Sequence, residues 1–147
     1  MAHFAKIGID NIVLETSKVN NIDCMDEEGV FLESKGLDIL RELTGHESWV
    51  RCSYNTRGGV NINTREGVTD ENREPPLRKN FPSAGWKYCS DLDAFLEPEY
   101  EGFPSWKINP DTGLREAPVP YPKDGLRYTW DEKSQSWLEM SKSEWYV

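Results

Sequence analysis

The segment that decides the fold reads Arg127-Tyr128-Thr129-Trp130-Asp131-Glu132-Lys133-Ser134-Gln135-Ser136-Trp137-Leu138. Two tryptophans flank a polar stretch, which is the pattern of a short β-hairpin whose strands each carry a large aromatic side chain. If the turn spans about five residues, Trp130 and Trp137 lie near each other across the two strands. The segment therefore predicts a hairpin held by an aromatic pair.

The same pattern occurs twice upstream. In the segment 86–96, Tyr88 and Phe95 have the same spacing as the two tryptophans of the last unit. In the segment 105–116, the polar turn 109–113 has proline early and glycine late, as β-turns prefer. The units recur roughly every 20 residues, which is the length of one hairpin and its connector. Such repetition builds a scaffold or a surface and does not by itself build a catalytic centre.

The N-terminal third predicts a small sheet. Stretches rich in β-branched or alternating apolar residues indicate strands at 3–7, 12–19 and 48–54. In the last of these, Trp49 and Arg51 fall on one side, and Val50, Cys52 and Tyr54 fall on the other.

A single helix is predicted over 34–43. Leu37, Leu40 and Leu43 recur at three-residue steps and are expected to form one apolar face. Ser34 is the expected N-cap, and Gly45 is expected to end the helix. Because about three turns of helix are not stable alone in water, Leu40 is expected to be buried against the sheet.

These patterns predict an α+β, mainly β, fold in which a small sheet with one helix is followed by three successive aromatic hairpins. We assign residues 1–56 to the sheet and helix, 57–76 to a polar loop and 77–147 to the hairpin repeat. A short strand is expected within the polar loop at 60–63. Prolines between the hairpins indicate edges or stiff connectors, because proline donates no hydrogen bond to a β-ladder.

Composition argues against several classes of function. The chain of 147 residues has a net charge of -9 and no basic block, which disfavours nucleic-acid binding. No apolar stretch is long enough for a membrane span. Two histidines and three scattered cysteines form no zinc-binding or nucleophile motif. We therefore expect no catalytic residues, no metal site and no cofactor, and a protein that is not an enzyme.

The aromatic content points instead to binding. The chain has six Trp, six Tyr and five Phe, and Trp and Tyr are enriched at the centres of protein interfaces. The predicted partner-binding residues are Trp106, Tyr121, Trp130, Trp137, Trp145 and Tyr146. An alternative is that the aromatic hairpins offer stacking faces to sugars.

The whole chain resembles a family of small proteins encoded by tailed phages of marine cyanobacteria and other marine bacteria. The N-terminal half carries the resemblance in the segments 1–7, 40–46 and 49–56. The C-terminal half carries it in 77–81, 103–106, 116–122, 127–132 and 136–137. In order and spacing these segments are specific to that family, and the chain departs from them most at Ile9-Asp10 and over 58–74.

The resemblance implies a phage origin more than a role, because members of the family are described as virion structural proteins or have no assigned role. It carries no catalytic residue. It implies a protein made in the bacterial host's cytoplasm and located in the virion, with major capsid proteins, tail proteins or further copies of itself as partners. A capsid decoration or cement protein is the leading expectation. The alternatives are a tail-associated protein for host attachment and a cytoplasmic fibre-assembly chaperone.

Overall fold

A computed structural model of the chain describes residues 1–69 and 75–146. Its N-terminal part is a three-stranded antiparallel sheet of β1 (Ala2–Ile7), β2 (Val13–Val19) and β3 (Trp49–Cys52), in the order β2-β1-β3. A turn of 3-10 helix, Ile9–Asn11, joins the first two strands. The three predicted strands are thus confirmed, with β2 and β3 slightly shorter than predicted.

One face of this sheet is covered by helix α1 (Glu33–Thr44). Even-numbered residues of β1 point toward the helix, as the two-residue period of a strand requires. The residues buried between the two layers are Ala2, Phe4, Val19, Cys24, Leu40 and Trp49. The predicted packing of Leu40 on the sheet is confirmed.

Two details predicted for the helix are wrong. Ser34 is not the N-cap: the helix begins at Glu33, and the capping residue Leu32 makes no side-chain capping bond. The backbone N–H of Leu32 instead donates to the Cys24 carbonyl, which fixes where the chain enters the helix. Leu43 is 77% exposed, because two steps of three residues leave it about 120° away from Leu37 on a helix with 3.6 residues per turn.

The close approach of α1 to the sheet depends on Gly36. A Cβ at this position would lie 2.5 Å from Cζ of Phe4 and 3.0 Å from Sγ of Cys24. A glycine inside a helix is unfavourable by about 1 kcal/mol relative to alanine, so its presence here marks a packing requirement. Gly45 ends the helix in the left-handed conformation with φ 71°, as predicted.

The opposite face of the sheet packs on the first aromatic hairpin. This second core consists of Ala5, Ile7, Val13, Cys52 and Phe95. The backbone N–H of Val13 donates to the Trp86 carbonyl (2.7 Å), and the N–H of Gly85 donates to the Val13 carbonyl (2.9 Å). The sheet and the first hairpin therefore share both apolar packing and backbone hydrogen bonds.

Four antiparallel pairs of short strands, each strand two to four residues long, follow β3 in the described residues. β4 (Thr56–Arg57) pairs with β5 (Val60–Asn61), so the strand predicted at 60–63 is present in shorter form. The aromatic hairpins are hairpin 1, with β6 (Lys87–Cys89) and β7 (Ala94–Leu96), hairpin 2, with β8 (Lys107–Asn109) and β9 (Leu114–Glu116), and hairpin 3, with β10 (Tyr128–Asp131) and β11 (Ser136–Glu139). The fold is α+β and mainly β, as predicted.

The three aromatic hairpins share one geometry. Their loops are 90–93, 110–113 and 132–135, and each loop ends in a left-handed residue: Asp93, Gly113 or Gln135. Trp130 faces Trp137 in the register of hairpin 3, as Tyr88 faces Phe95 in hairpin 1. The predicted aromatic pairing across the turn is confirmed, with ring centroids 5.0 Å apart for the tryptophan pair.

Part of the predicted polar loop, residues 70–74, lies outside the described residues, as does Val147. Over residues 1–69 and 75–146, no helix is long and apolar enough to cross a lipid bilayer.

We expect Leu40→Ala to lower the free energy of unfolding by about 2–4 kcal/mol, because the change leaves a cavity between helix and sheet. Leu43→Ala is the matched control, since the same atoms are lost from an exposed position on the same helix. Urea denaturation of both variants measures the difference. Equal stability of the two variants would contradict the described helix orientation.

Candidate partner-binding surface on hairpins 2 and 3

Hairpins 2 and 3 are joined by an aromatic cluster. The ring centroid of Trp106 lies 6.0 Å from those of both Trp130 and Trp137. Phe103 stacks on Trp106 at 5.6 Å, and Tyr121 lies 4.9 Å from Trp137. The members of the cluster are Tyr100, Phe103, Trp106, Tyr121, Tyr128, Trp130 and Trp137. Four of the six predicted partner-binding residues therefore lie together.

Glu132, the first loop residue of hairpin 3, fixes this arrangement. Its Oε1 accepts a hydrogen bond from the backbone N–H of Ser105 (2.8 Å), and its Oε2 accepts from the Ser105 hydroxyl (2.7 Å) and from Nε1 of Trp130 (2.8 Å). The hydrogen bonds from Trp130 and Ser105 hold the pKa of the Glu132 carboxyl below its ordinary value. One carboxylate thus connects the start of hairpin 2 to the aromatic pair of hairpin 3.

The lowered pKa of Glu132 predicts a loss of stability in acid. The folded state favours the ionised carboxylate, so its contribution is complete above the ordinary pKa of 4.5 and is lost as the pH falls through the lower folded-state pKa. Glu132→Gln should remove this dependence, because an amide does not titrate between neutral and acid pH.

The measurement is the free energy of unfolding of wild type and Glu132→Gln between about pH 7 and pH 3, where carboxyl groups titrate. Glu139→Gln, on an exposed position of β11, is the control for the loss of one acidic charge. A wild-type pH profile that Glu132→Gln reproduces unchanged would contradict the role given to Glu132.

The connector 117–122 lies against hairpin 3 through two hydrogen bonds. Nε1 of Trp137 donates to the Val119 carbonyl (2.8 Å), and the backbone N–H of Tyr128 donates to the Tyr121 hydroxyl (3.1 Å). Between this connector and hairpin 2 is a cleft of about 670 Å³. Its lining residues are Trp106, Arg115, Glu116, Ala117, Pro118, Pro120, Tyr121 and Trp137.

Trp145 and Tyr146, the other two predicted partner-binding residues, lie apart from the cluster. Both rings pack on the guanidinium of Arg127, at 5.0 and 5.6 Å from its Cζ. Nη1 of Arg127 donates to the Trp145 carbonyl, and Nε1 of Trp145 donates to the Met140 carbonyl. Trp145 is partly buried by these contacts, whereas Tyr146 is 87% exposed.

Sequence reasoning missed the polar residues that hold the hairpins side by side. Oδ1 of Asn80 accepts from the Gly58 N–H, and its Nδ2 donates to the carbonyls of Phe95 and Thr112. Glu97 accepts from the backbone N–H of Arg115 (2.9 Å). No motif marks these residues, since a buried amide and a buried carboxylate look like surface residues in a single sequence.

Two further observations bear on chemistry. Burial and a hydrogen bond to Glu97 raise the pKa of Tyr100 to about 12, so this phenol stays protonated near neutral pH. Within residues 1–69 and 75–146, no group of three or more His, Cys, Asp and Glu side chains is placed to hold a metal ion.

Comparisons with known proteins gave no match to a family model, to a curated protein or to a solved structure.

Proposed function

We propose that the protein is a non-enzymatic structural component of a phage virion, a decoration or cement protein that binds the capsid through hairpins 2 and 3 and the C-terminal segment that carries Trp145. The observation that carries this proposal is the aromatic cluster, in which the exposed Tyr121 and the half-buried Trp106 and Trp137 surround Trp130. Trp130 itself is buried, so it supports this surface from below and is not available to a partner. Rigid aromatic side chains of this kind anchor many protein interfaces. The resemblance to phage proteins is the reason for proposing a virion as the assembly to which the protein binds.

Exposed apolar residues around the cluster support binding to another protein. Val119 and Tyr121, both in the connector that lies against Trp137, are 42% and 46% exposed. Adjacent apolar side chains of this kind mark interaction surfaces more often than isolated ones do. The net charge of -9 disfavours self-association at this surface and favours a partner with a less acidic face.

A second candidate is a tail-associated protein that takes part in host attachment. The feature that favours it is the cleft between hairpin 2 and the connector, which a capsid-binding protein does not need. Attachment requires recognition of molecules on the host surface, and a cleft lined by aromatic and charged residues suits small ligands.

Quantitative mass spectrometry of purified virions tests the proposal. A copy number comparable with that of the major capsid protein supports decoration, whereas a few copies per particle favour the tail. Absence from particles, with the protein present in infected cells, would overturn both the decoration and the tail proposals. It would favour the cytoplasmic assembly chaperone instead.

We expect Trp145→Ala to weaken incorporation into virions while barely changing the melting temperature. Within the described residues, Trp145 contacts Arg127 and Met140 and belongs to neither buried core, so its loss should open no core cavity. An interface anchor contributes about 2 kcal/mol or more, which corresponds to roughly thirtyfold weaker binding.

Particles assembled without wild-type protein and then incubated with each variant give the measurement. Ile22→Ala is the control, since Ile22 is 76% exposed on the N-terminal part of the chain. Normal incorporation of Trp145→Ala would show that the C-terminal segment is not an anchor. A large drop in its melting temperature would show that Trp145 belongs to the folded core.

A further inference from the structure

The cleft beside hairpin 2 has the composition of a small-ligand site. We propose that this cleft binds a neutral oligosaccharide, with Tyr121 and Trp137 as aromatic walls and Arg115 and Glu116 as hydrogen-bonding partners. The inference goes beyond the virion proposal, because it concerns a ligand of the isolated protein.

The size and walls of the cleft fit this ligand class. A volume of about 670 Å³ lies within the range of about 300–1,000 Å³ typical of ligand pockets. The C–H faces of a pyranose ring pack against indole and phenol rings. Tyr121 is 46% exposed, and the hydrogen bond from Nε1 of Trp137 to Val119 holds the connector that carries Tyr121. One wall is therefore both accessible and fixed in position.

Polar groups at the cleft are available to hydroxyl groups. The Tyr121 oxygen accepts from the Tyr128 N–H, which leaves its own O–H free to donate. Arg115 donates from Nε to the Glu97 carbonyl and from Nη1 to the Trp106 carbonyl. Its Nη2 group keeps two N–H donors for which the described residues provide no acceptor.

Glu116 supplies the complementary acceptor. Its Oε1 accepts from Nδ2 of Asn109 (3.0 Å), and its second oxygen is not used in that bond. Arg115 and Glu116 are consecutive residues of β9, so their side chains leave opposite faces of the strand. A ligand that contacts both needs several groups that donate and accept hydrogen bonds, as an oligosaccharide has. The net charge of -9 disfavours phosphorylated or other anionic ligands.

A buried donor in the cleft wall adds to this argument. Nε1 of Trp106 is buried and has no hydrogen-bond acceptor among the described residues, whereas about nine in ten buried polar groups in proteins are paired. Trp106 lines the cleft, but its Nε1 is covered by protein atoms. A polyol oxygen or a water would supply the missing acceptor only after the side chains that cover Nε1 had moved aside. An apolar peptide would leave the deficit unchanged.

Titration of the purified protein with maltotriose, cellotriose and triacetylchitotriose, followed by tryptophan fluorescence, tests the proposal. We expect a saturable change at millimolar concentration or below for at least one of these sugars. Tyr121→Ala and Glu116→Ala should each weaken binding about tenfold or more, the effect of losing one favourable contact of about 1.4 kcal/mol. Tyr54→Ala, at a tyrosine that is 54% exposed on the N-terminal part of the chain, and Glu139→Ala are the matched controls and should bind as wild type does.

Melting curves of all four variants ensure that weaker binding is read only from folded protein, and Glu116→Ala serves if Tyr121→Ala does not fold. Absence of a saturable change with all three sugars would overturn the proposal. Binding that persists in both cleft variants would overturn it too, because the sugar would then sit elsewhere. A proline-rich peptide that binds where the sugars do not would identify the cleft as a peptide groove. Because these measurements use isolated protein, their failure leaves the virion proposal to be judged on particles.

Discussion

Asn80→Asp is expected to lower the free energy of unfolding by about 4 kcal/mol or more, although the two side chains have nearly the same shape. Nδ2 of Asn80 donates to two carbonyls, those of Phe95 and Thr112, at 3.0 and 2.8 Å. Aspartate places an acceptor oxygen opposite both carbonyls. Each carbonyl left without its donor costs about 1–3 kcal/mol, and a buried charge adds to this.

The pH dependence of this variant is a second signature. Protonation of the new carboxyl restores one O–H donor, so the difference from wild type should shrink as the pH falls. Urea denaturation at neutral and acid pH measures both effects. Asn20→Asp, at an exposed position, is the control. If Asn80→Asp and Asn20→Asp are equally stable at neutral pH, Asn80 does not connect the hairpins as described.

The importance of Asn80 follows from what surrounds it. It is 1% exposed and contacts the β4–β5 turn at Gly58, hairpin 1 at Phe95 and hairpin 2 at Thr112. A Cβ on Gly113 would lie 2.7 Å from its Nδ2, so the left-handed glycine that closes hairpin 2 also makes room for the amide. The left-handed backbone of Gly113 and the packing of the Asn80 amide therefore depend on each other.

The periodic features of the fold were predictable from sequence. The seven-residue spacing of Trp130 and Trp137 predicts their register, because four loop residues and a short strand on each side leave one pairing that puts both on the same face. The strands 3–7, 12–19 and 48–54 follow from alternation and β-branching. These features are predictable because the two-residue period of a strand and the 3.6-residue period of a helix leave a direct pattern of apolar residues in the sequence.

The errors in the helix arise from competition between local and tertiary signals. Ser34 has the side chain of an N-cap, yet the Leu32–Cys24 hydrogen bond sets the start of the helix one residue earlier. Leu43 has the residue type of a core position, yet the helical period rotates it into solvent. Gly36 carries a signal that sequence reasoning did not use, since a glycine inside a helix often marks a close contact.

The residues that join the hairpins were not predictable. Glu132 precedes Lys133 in a polar turn and is typical of a solvent-exposed loop. Its partner outside hairpin 3 is Ser105, which is 27 residues away in sequence. Contacts of this kind depend on how the connectors fold back, which no local pattern encodes. The four clustered residues were predicted as partner-binding aromatics, but the cleft that Trp106, Tyr121 and Trp137 share and the burial of Trp130 follow from the three-dimensional arrangement.

Trp106→Ala is expected to lower the free energy of unfolding by about 3–5 kcal/mol, because it removes the ring that connects hairpins 2 and 3. Trp106 contacts Trp130 and Trp137 across the hairpin boundary and Phe103 within its own unit. Two-stranded hairpins are marginal in water on their own. Hairpin 3 should therefore lose most of its protection when Trp106 is gone.

Hydrogen exchange at the amides of Thr129 and Leu138, which face each other in hairpin 3, measures this directly. In Trp106→Ala their exchange should become much faster, while the amides of β1 exchange as in wild type, since β1 packs on α1 and hairpin 1. Trp106→Phe is the matched control. The smaller ring loses some packing, which lowers the free energy of unfolding, but the change also removes a buried indole N–H that has no acceptor among the described residues, which raises it. These two effects on stability should partly cancel. If exchange at β1 and hairpin 3 accelerates together, the chain unfolds as one cooperative unit in which Trp106 is an ordinary core residue. Acceleration confined to hairpin 3 would show that the aromatic cluster is needed to hold hairpin 3 against the rest of the chain, even with the Glu132–Ser105 hydrogen bonds available.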